Sequence, residues 1–157
     1  MKNTLWKFTD TKGGFVSHNA NTINTLYLPL CNNHPMMSSV TPHLGGDLKS
    51  GNNYFLLEPV SRVDLALSKA NRNFWLSYGP QKAWSATGFS KDRDQIHTDT
   101  FRLEAGLLWQ KVIRANKAIG LQAEITSFIP STGEPIEIMR VVITNISGKK
   151  ISLTPTA

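Results

Sequence analysis

Cysteine is almost absent from this sequence, and so are long apolar runs. A chain with one cysteine, Cys31, forms no internal disulfide, so nothing points to an oxidising compartment. The N-terminus has no apolar segment ending in a small-residue cleavage site, and no apolar stretch approaches the roughly 20 residues that a membrane helix needs. We therefore expect a soluble cytoplasmic protein without a membrane partner, in which Cys31 is a buried small hydrophobic residue.

Clusters of basic residues are also missing, although the chain is basic overall. Its 17 Lys and Arg against 11 Asp and Glu give a formal charge of +6. Such a charge raises the question of nucleic-acid binding, which depends mainly on clustered Lys and Arg. The longest basic run is the pair Lys149 and Lys150, which follows Gly148 and is typical of a solvated turn. We expect no nucleic-acid partner, and binding to DNA or RNA stays a third possibility that rests on charge alone.

The sequence has no motif that marks a catalytic or cofactor site. It contains no phosphate loop, dinucleotide fingerprint or nucleophile elbow. Its histidines are too widely spaced for a zinc motif: His18, His34, His43 and His97. Several carboxylates have the residue type that glycoside chemistry uses, but the sequence does not pair them: Asp47, Glu58, Asp64, Asp92, Asp94, Asp99 and Glu104. We predict no catalytic residue, no metal site and no cofactor.

Helical periodicity is scarce, whereas strand patterns are frequent. Residues 121–128 alternate apolar with polar, as a half-buried strand does. A Pro- and Gly-containing turn at 130–135 leads to a β-rich run at 136–145, and a second turn leads to residues 151–154. This pattern predicts a meander of three antiparallel strands. We expect residues 1–157 to form one all-β domain, an antiparallel β-sandwich.

Further strands are predicted nearer the N-terminus. Residues 5–8 and 14–18 favour an opening hairpin, and residues 101–104 and 107–114 favour two strands with a turn or bulge at Gly106. The sequence pattern between the hairpin and residue 101 is less regular.

Residues 32–53 contain several Pro, Gly and Asn residues, which predicts a long loop. Loops of this length in compact domains are usually functional or disordered, and the apolar residues within this one favour order. We therefore expect a functional loop here.

Aromatic residues indicate a sugar ligand, because the apolar faces of sugars stack on Trp and Tyr. In the segment 74–78, alternation places Phe74, Leu76 and Tyr78 on one face, which is typical of a core strand. Small polar residues follow Trp84, which predicts that it lies in a surface loop and makes it the better candidate for a sugar contact.

Five segments of the sequence are distinctive in combination: YLPLCN at 27–32, MMSSVTP at 36–42, GDLKSG at 46–51, NRNFW at 71–75 and WSATG at 84–88. Together they resemble the N-terminal region of 1,2-β-oligoglucan phosphorylases, relatives of cellobiose phosphorylase in glycoside hydrolase family 94. The strand, turn and strand pattern between 134 and 153 is also similar to that family. The similarity extends from about residue 14 to 157.

The resemblance implies a partial β-sandwich of the galactose-mutarotase-like supersandwich type that precedes an (α/α)6 barrel. In that family the complete enzyme transfers a glucosyl unit to inorganic phosphate with inversion and yields glucose 1-phosphate. The general acid and the phosphate-binding groups lie in the barrel, so this chain is expected to be a non-catalytic domain. It would support the barrel, the dimer and the edge of the substrate site, with phosphate as co-substrate of the whole enzyme.

By position in the motifs, the resemblance implies contacts with a β-glucan oligosaccharide for Arg72 and Trp84, with Asp47 as a third candidate. The expected partners are this glucan and the remainder of the phosphorylase chain. An alternative is a stand-alone carbohydrate-binding or assembly module. We also expect a homo-oligomer, because a partial sandwich exposes strand edges and the run 136–145 is β-rich and weakly charged.

Overall fold

The computed structural model describes residues 4–23, 25–58, 72–88 and 98–157. Within these ranges the protein is all-β, with one short 3-10 helix at Ala20–Ile23. No helix in them is apolar over enough of its length to cross a membrane. The strands in chain order are β1 (Lys7–Phe8), β2 (Phe15–Ser17), β3 (Leu28–Cys31), β4 (Met36–Val40), β5 (Leu48–Ser50), β6 (Tyr54–Leu57), β7 (Trp75–Gly79), β8 (Lys82–Ser85), β9 (Thr100–Gly106), β10 (Trp109–Asn116), β11 (Leu121–Phe128), β12 (Ile138–Asn145) and β13 (Thr154–Thr156).

The strands form three antiparallel sheets. The largest has six strands in the order β1-β2-β9-β10-β11-β12, the second has the order β3-β4-β5-β6, and the third has the order β13-β7-β8. All pairs of neighbouring strands run antiparallel. The predicted all-β class is confirmed, and the arrangement is consistent with a β-sandwich.

One apolar core joins the three sheets. In β9, β10 and β11 every second side chain is buried, because successive side chains of a strand point to opposite faces. Leu103, Val112 and Ile125 of the large sheet belong to the same cluster as Leu30 of the second sheet and Leu76 of the third. Each fully buried aliphatic side chain of this size contributes about 1.5–3 kcal/mol, so these contacts hold the sheets together.

Several predicted strands are confirmed. Strand β11 has the predicted bounds, and the opening hairpin is formed by β1 and β2. Strands β9 and β10 pair across a turn after Gly106. In β7, Leu76 is buried and Tyr78 packs against the core, as does Phe74 just before the strand, so the predicted core face is confirmed.

The predicted long loop at 32–53 is wrong, because this segment contains β4 and β5. In β4 the side chains of Met36, Ser38 and Val40 are buried, so the alternation is present but includes a polar residue. The Ser38 hydroxyl is satisfied by donating to the backbone carbonyl of Asp47, at 3.0 Å. In a sequence, a short strand with a serine at an inward position resembles a loop, because the serine interrupts the apolar alternation. Cys31 in β3 is half-buried rather than fully buried.

The predicted three-strand meander is also wrong in its last strand. Strands β11 and β12 pair, but β13 begins at Thr154 and pairs with β7 in the third sheet. Asn145, the last residue of β12, closes a turn by accepting hydrogen bonds from the backbone N–H and the hydroxyl of Ser147, at 2.9 and 2.8 Å. The chain then crosses to the third sheet, and local alternation does not specify which sheet a following strand joins.

Candidate functional site

A cleft of about 380 Å³ opens between the second sheet and the chain that enters β12. Its apolar lining comes from both sides: Met36, Leu48, Leu56, Leu57, Pro135, Ile136 and Met139. Polar groups enter it from Arg72, Asn73 and Glu137. An apolar cleft with a few convergent polar groups is the usual form of a ligand or docking site.

The polar part of this cleft is a bidentate ion pair. Nε and Nη2 of Arg72 each lie 2.8 Å from a carboxylate oxygen of Glu137, and the two side chains are 9% and 7% exposed. Nη2 also donates to the Ser38 hydroxyl at 2.8 Å and to the Asp47 carbonyl at 3.1 Å. Nη1 donates to two backbone carbonyls in the segment 44–46, both at 3.3 Å. The planar guanidinium therefore ties this segment to the entry of β12.

Asp47 lies beside Arg72, but its carboxylate faces elsewhere. It is the backbone carbonyl of Asp47 that accepts from Arg72, whereas its carboxylate accepts from the backbone N–H of Ser39, at 3.1 Å. The preceding Gly46 has φ of 121°, and a Cβ there would lie 1.8 Å from the Ser39 carbonyl oxygen. Only glycine fits this close approach, so Gly46 fixes the position of Asp47.

Trp84, which was also predicted to contact the glucan, lies away from the cleft and in the core. Its side chain is 1% exposed, and its indole N–H donates to Oδ2 of Asp99 at 3.0 Å. The indole thus presents no open face on which a sugar stacks from solvent. The structure brings Arg72 and Asp47 together and gives Trp84 a core position. The glucan contact of the three residues stays a prediction.

Asp99 is the centre of a buried polar cluster. Its carboxylate lies 2.7 Å from Nη2 of Arg114 and accepts a 2.7 Å hydrogen bond from the Asn116 side chain, in addition to the bond from Trp84. The side chains of Arg114 and Asp99 are each 1% exposed. The guanidinium carbon of Arg114 also lies 4.6 Å from the centroid of the Phe101 ring, within the range of a cation–π contact.

His43 completes this cluster. Its ring lies 4.7 Å from that of Phe101, and its Nδ1 lies 3.3 Å from the carbonyl oxygen of Thr87. Burial, followed by the charge of Arg114, lowers the pKa of His43 to about 4, against a smaller raising effect of the Thr87 carbonyl. The imidazole is therefore neutral at pH 7.

Sequence reasoning missed this cluster, although one signal was present. Arg114 and Asn116 follow Val112 at the spacing of one strand face, so the alternation that buries Val112 also buries these polar side chains. A charged residue on the inward face of a strand predicts a buried partner. The partner, Asp99, lies on a different segment and is not identifiable by spacing.

Of the other acidic and histidine candidates, those that the structure describes do not gather into one site. Glu104 pairs with Lys111 at 2.6 Å on the outer face of the large sheet, and Glu58 is exposed. In the ranges described, no three His, Cys, Asp or Glu side chains are placed to hold a metal ion. Four candidates lie outside the described residues: Asp64, Asp92, Asp94 and His97.

The chain matches no protein-family model and no curated protein sequence.

Proposed function

We propose that this chain is the non-catalytic N-terminal β-sandwich domain of an inverting β-glucan phosphorylase. The complete enzyme would transfer a glucosyl unit from a β-glucan to inorganic phosphate and release glucose 1-phosphate. The role of this domain is to support the barrel, the dimer and the edge of the substrate site. The proposal is supported by the family resemblance of the motifs that contain Arg72, Asp47 and Trp84, and by the all-β fold.

The observation that carries the proposal is the exposed apolar strand β6. All four of its residues, Tyr54 to Leu57, are exposed, and the exposed fractions of Tyr54 and Leu56 are 76% and 60%. Among the described strands, β6 pairs only with β5, so it is a sheet edge. Folded proteins seldom leave a contiguous apolar edge open to water. Leu56 and Leu57 continue this surface into the Arg72 cleft, which makes one apolar surface suited to a second folded unit.

Within this proposal Arg72 is a positioning residue. Its ion pair with Glu137 and its bonds to the segment 44–46 fix the wall of the cleft against which the barrel would pack. A rigid wall reduces the entropy lost when the two units associate.

The proposal is tested by co-expressing the chain with the barrel region of a 1,2-β-oligoglucan phosphorylase that lacks its own N-terminal domain. The chain is expected to co-purify with the barrel and to restore release of glucose 1-phosphate from linear β-1,2-glucan and phosphate. A Tyr54→Ser, Leu56→Ser double variant should lose both properties. Leu107→Ser, a change at a residue that is 80% exposed in the turn between β9 and β10, is the matched control and should retain both. Absence of co-purification and turnover with the unmodified chain would overturn the proposal.

The alternative is a stand-alone carbohydrate-binding module, and the exposure of Trp6 favours it. Trp6 is 43% exposed, in contrast to the buried Trp84. A stand-alone module would bind a glucan without the barrel and would not associate with it. The co-expression experiment separates the two functions, because only the phosphorylase domain is expected to associate with the barrel, and calorimetric titration with β-1,2-glucan then measures glucan binding by the chain itself.

A further inference from the structure

A second, smaller groove lies at the opposite edge of the large sheet. It has a volume of about 210 Å³ and is formed where the N-terminal segment meets β2 and the following 3-10 helix. Trp6, Lys7, Val16, His18, Asn19 and Thr22 are among the residues that line it. Because β1 and β12 are at opposite ends of the sheet order, this groove is separate from the cleft beside β12.

Trp6 is the aromatic element of this groove. Its ring contacts that of Phe15, with 6.5 Å between the centroids and an angle of 59° between the planes, yet the residue stays 43% exposed. Trp6 is therefore held by an aromatic neighbour and remains accessible. An amphipathic ring in this state offers a stacking surface at little cost in conformational entropy.

Polar groups beside Trp6 stand on an anchored turn. The backbone N–H and the hydroxyl of Thr22 both donate to the Asn19 carbonyl, at 3.1 and 2.7 Å. Ala20 and Ile23 of the same helical turn are buried in the core, at 0% and 6% exposure. His18 and Asn19 are thus exposed polar residues on a turn whose backbone is fixed.

The composition of the groove selects the class of ligand. Its lining combines the indole with amide, imidazole and ammonium groups, which can donate hydrogen bonds to sugar oxygens, and with the Thr22 hydroxyl, whose oxygen can accept one from a sugar hydroxyl. Among the described residues that line it there is no carboxylate to attract a cationic amino sugar. Clefts that bind drug-sized ligands have volumes of about 300–1,000 Å³. The volume of this groove is smaller, so it suits one sugar ring rather than a longer segment.

We propose that this groove is a binding site for one neutral pyranose unit of an oligosaccharide, stacked on Trp6. The inference does not rest on the phosphorylase proposal, since it concerns the opposite edge of the sheet. In a phosphorylase, such a site would retain a long glucan chain on the enzyme while another part of that chain reacts.

The test is titration of the full chain with linear β-1,2-glucan oligosaccharides and, separately, with cello-oligosaccharides, followed by calorimetry and by the NMR signal of the Trp6 indole N–H. The expected result is binding to at least one of the two sugars, with a shift of that signal. Trp6→Ala should weaken binding about tenfold or more, and Trp6→Tyr should retain most of it. Trp109→Ala, at a tryptophan that is 38% exposed on β10, is the matched control and should bind as the unmodified chain does.

Two results would overturn the inference: no binding of either sugar, or binding that Trp6→Ala leaves unchanged in a folded variant. If Trp6→Ala does not fold, an unshifted Trp6 signal during titration of the unmodified chain overturns it equally. A negative sugar titration does not affect the co-expression experiment, and a negative co-expression experiment does not affect the sugar titration. The two proposals are therefore tested independently.

Discussion

Arg114 and Asp99 form an ion pair in the core, with 2.7 Å between Nη2 and Oδ2 and with both side chains 1% exposed. Burial lowers the pKa of the Arg114 guanidinium, and the Asp99 carboxylate opposes that effect. The pair joins β10 to the segment just before β9, and Trp84 and Asn116 also donate hydrogen bonds to the carboxylate. A buried charge is tolerated only with such partners, so the two residues depend on each other.

Removal of one charge of this pair is expected to destabilise the fold strongly. Asp99→Leu leaves the Arg114 guanidinium buried without its counter-ion, and the expected loss of unfolding free energy is about 3–5 kcal/mol. The double variant Asp99→Leu, Arg114→Met removes both charges and should be less destabilised than Asp99→Leu alone. Urea unfolding of the single and double variants measures the coupling. Additive losses would contradict a direct interaction.

Gly88 is expected to tolerate no side chain, because it packs directly on the buried cluster. It has φ of 94°, and an added Cβ would lie 2.2 Å from Nη1 of Arg114 and 2.9 Å from Nδ1 of His43. Gly88→Ala should therefore lower the free energy of unfolding by more than a left-handed backbone alone would, which is about 1–2 kcal/mol. The matched control is Gly133→Ala, where φ is 89° and nothing lies within 4 Å of the added Cβ. Equal losses in thermal unfolding would show that packing at Gly88 contributes nothing.

The buried His43 should make stability depend on pH. The folded protein keeps the imidazole neutral down to pH about 4, whereas the unfolded chain takes up a proton near pH 6.5. The unfolded state thus binds more protons between these values, so stability is complete above pH 6.5 and falls by about 3 kcal/mol as the pH drops to 4. Urea unfolding at several pH values measures this loss. Carboxylates titrate in the same range, so the comparison is with His43→Gln, which should lack this part of the slope. Identical slopes would exclude His43 as the cause.

The sequence predicts the elements whose side chains alternate without interruption. Strands β9, β10 and β11 were identifiable because apolar residues such as Val112 and Ile125 mark one face. Strand β4 was not, because Ser38 occupies an inward position and its hydroxyl finds a partner that only the folded chain supplies. The sheet that β13 joins was not predictable either, since pairing with β7 is a contact between distant segments.

In the candidate site, too, local motifs were predictable from the sequence and contacts between distant segments were not. Arg72 was identified from its motif, but its partner Glu137 is 65 positions away and no local pattern connects them. Trp84 was expected in a surface loop because small polar residues follow it, whereas Ser85 and Thr87 are buried and hydrogen-bonded to each other. Polar residues that satisfy one another in the core look like loop residues in a sequence.

The exposed side of β12 is expected to mediate association of the chain with itself. Strand β12 is eight residues long and pairs with β11, and no described strand pairs with its other side. Its Val142 is 37% exposed, and Arg140 is its only charged residue. Antiparallel pairing of two β12 strands about a two-fold axis would satisfy the backbone groups of both edges. We expect sedimentation equilibrium at micromolar concentration to give a dimer.

A lysine on this edge should prevent that pairing, because two copies would place like charges close together across the two-fold axis. Val142→Lys is therefore expected to shift the protein to a monomer of 17.4 kDa without loss of its cooperative unfolding. Leu107→Lys adds the same charge at a more exposed residue in the turn between β9 and β10, so it should remain dimeric. If the unmodified chain sediments as a monomer over the whole concentration range, β12 is not an association edge. If Val142→Lys stays dimeric, the dimer forms through another surface, and the apolar strand β6 becomes the first one to test.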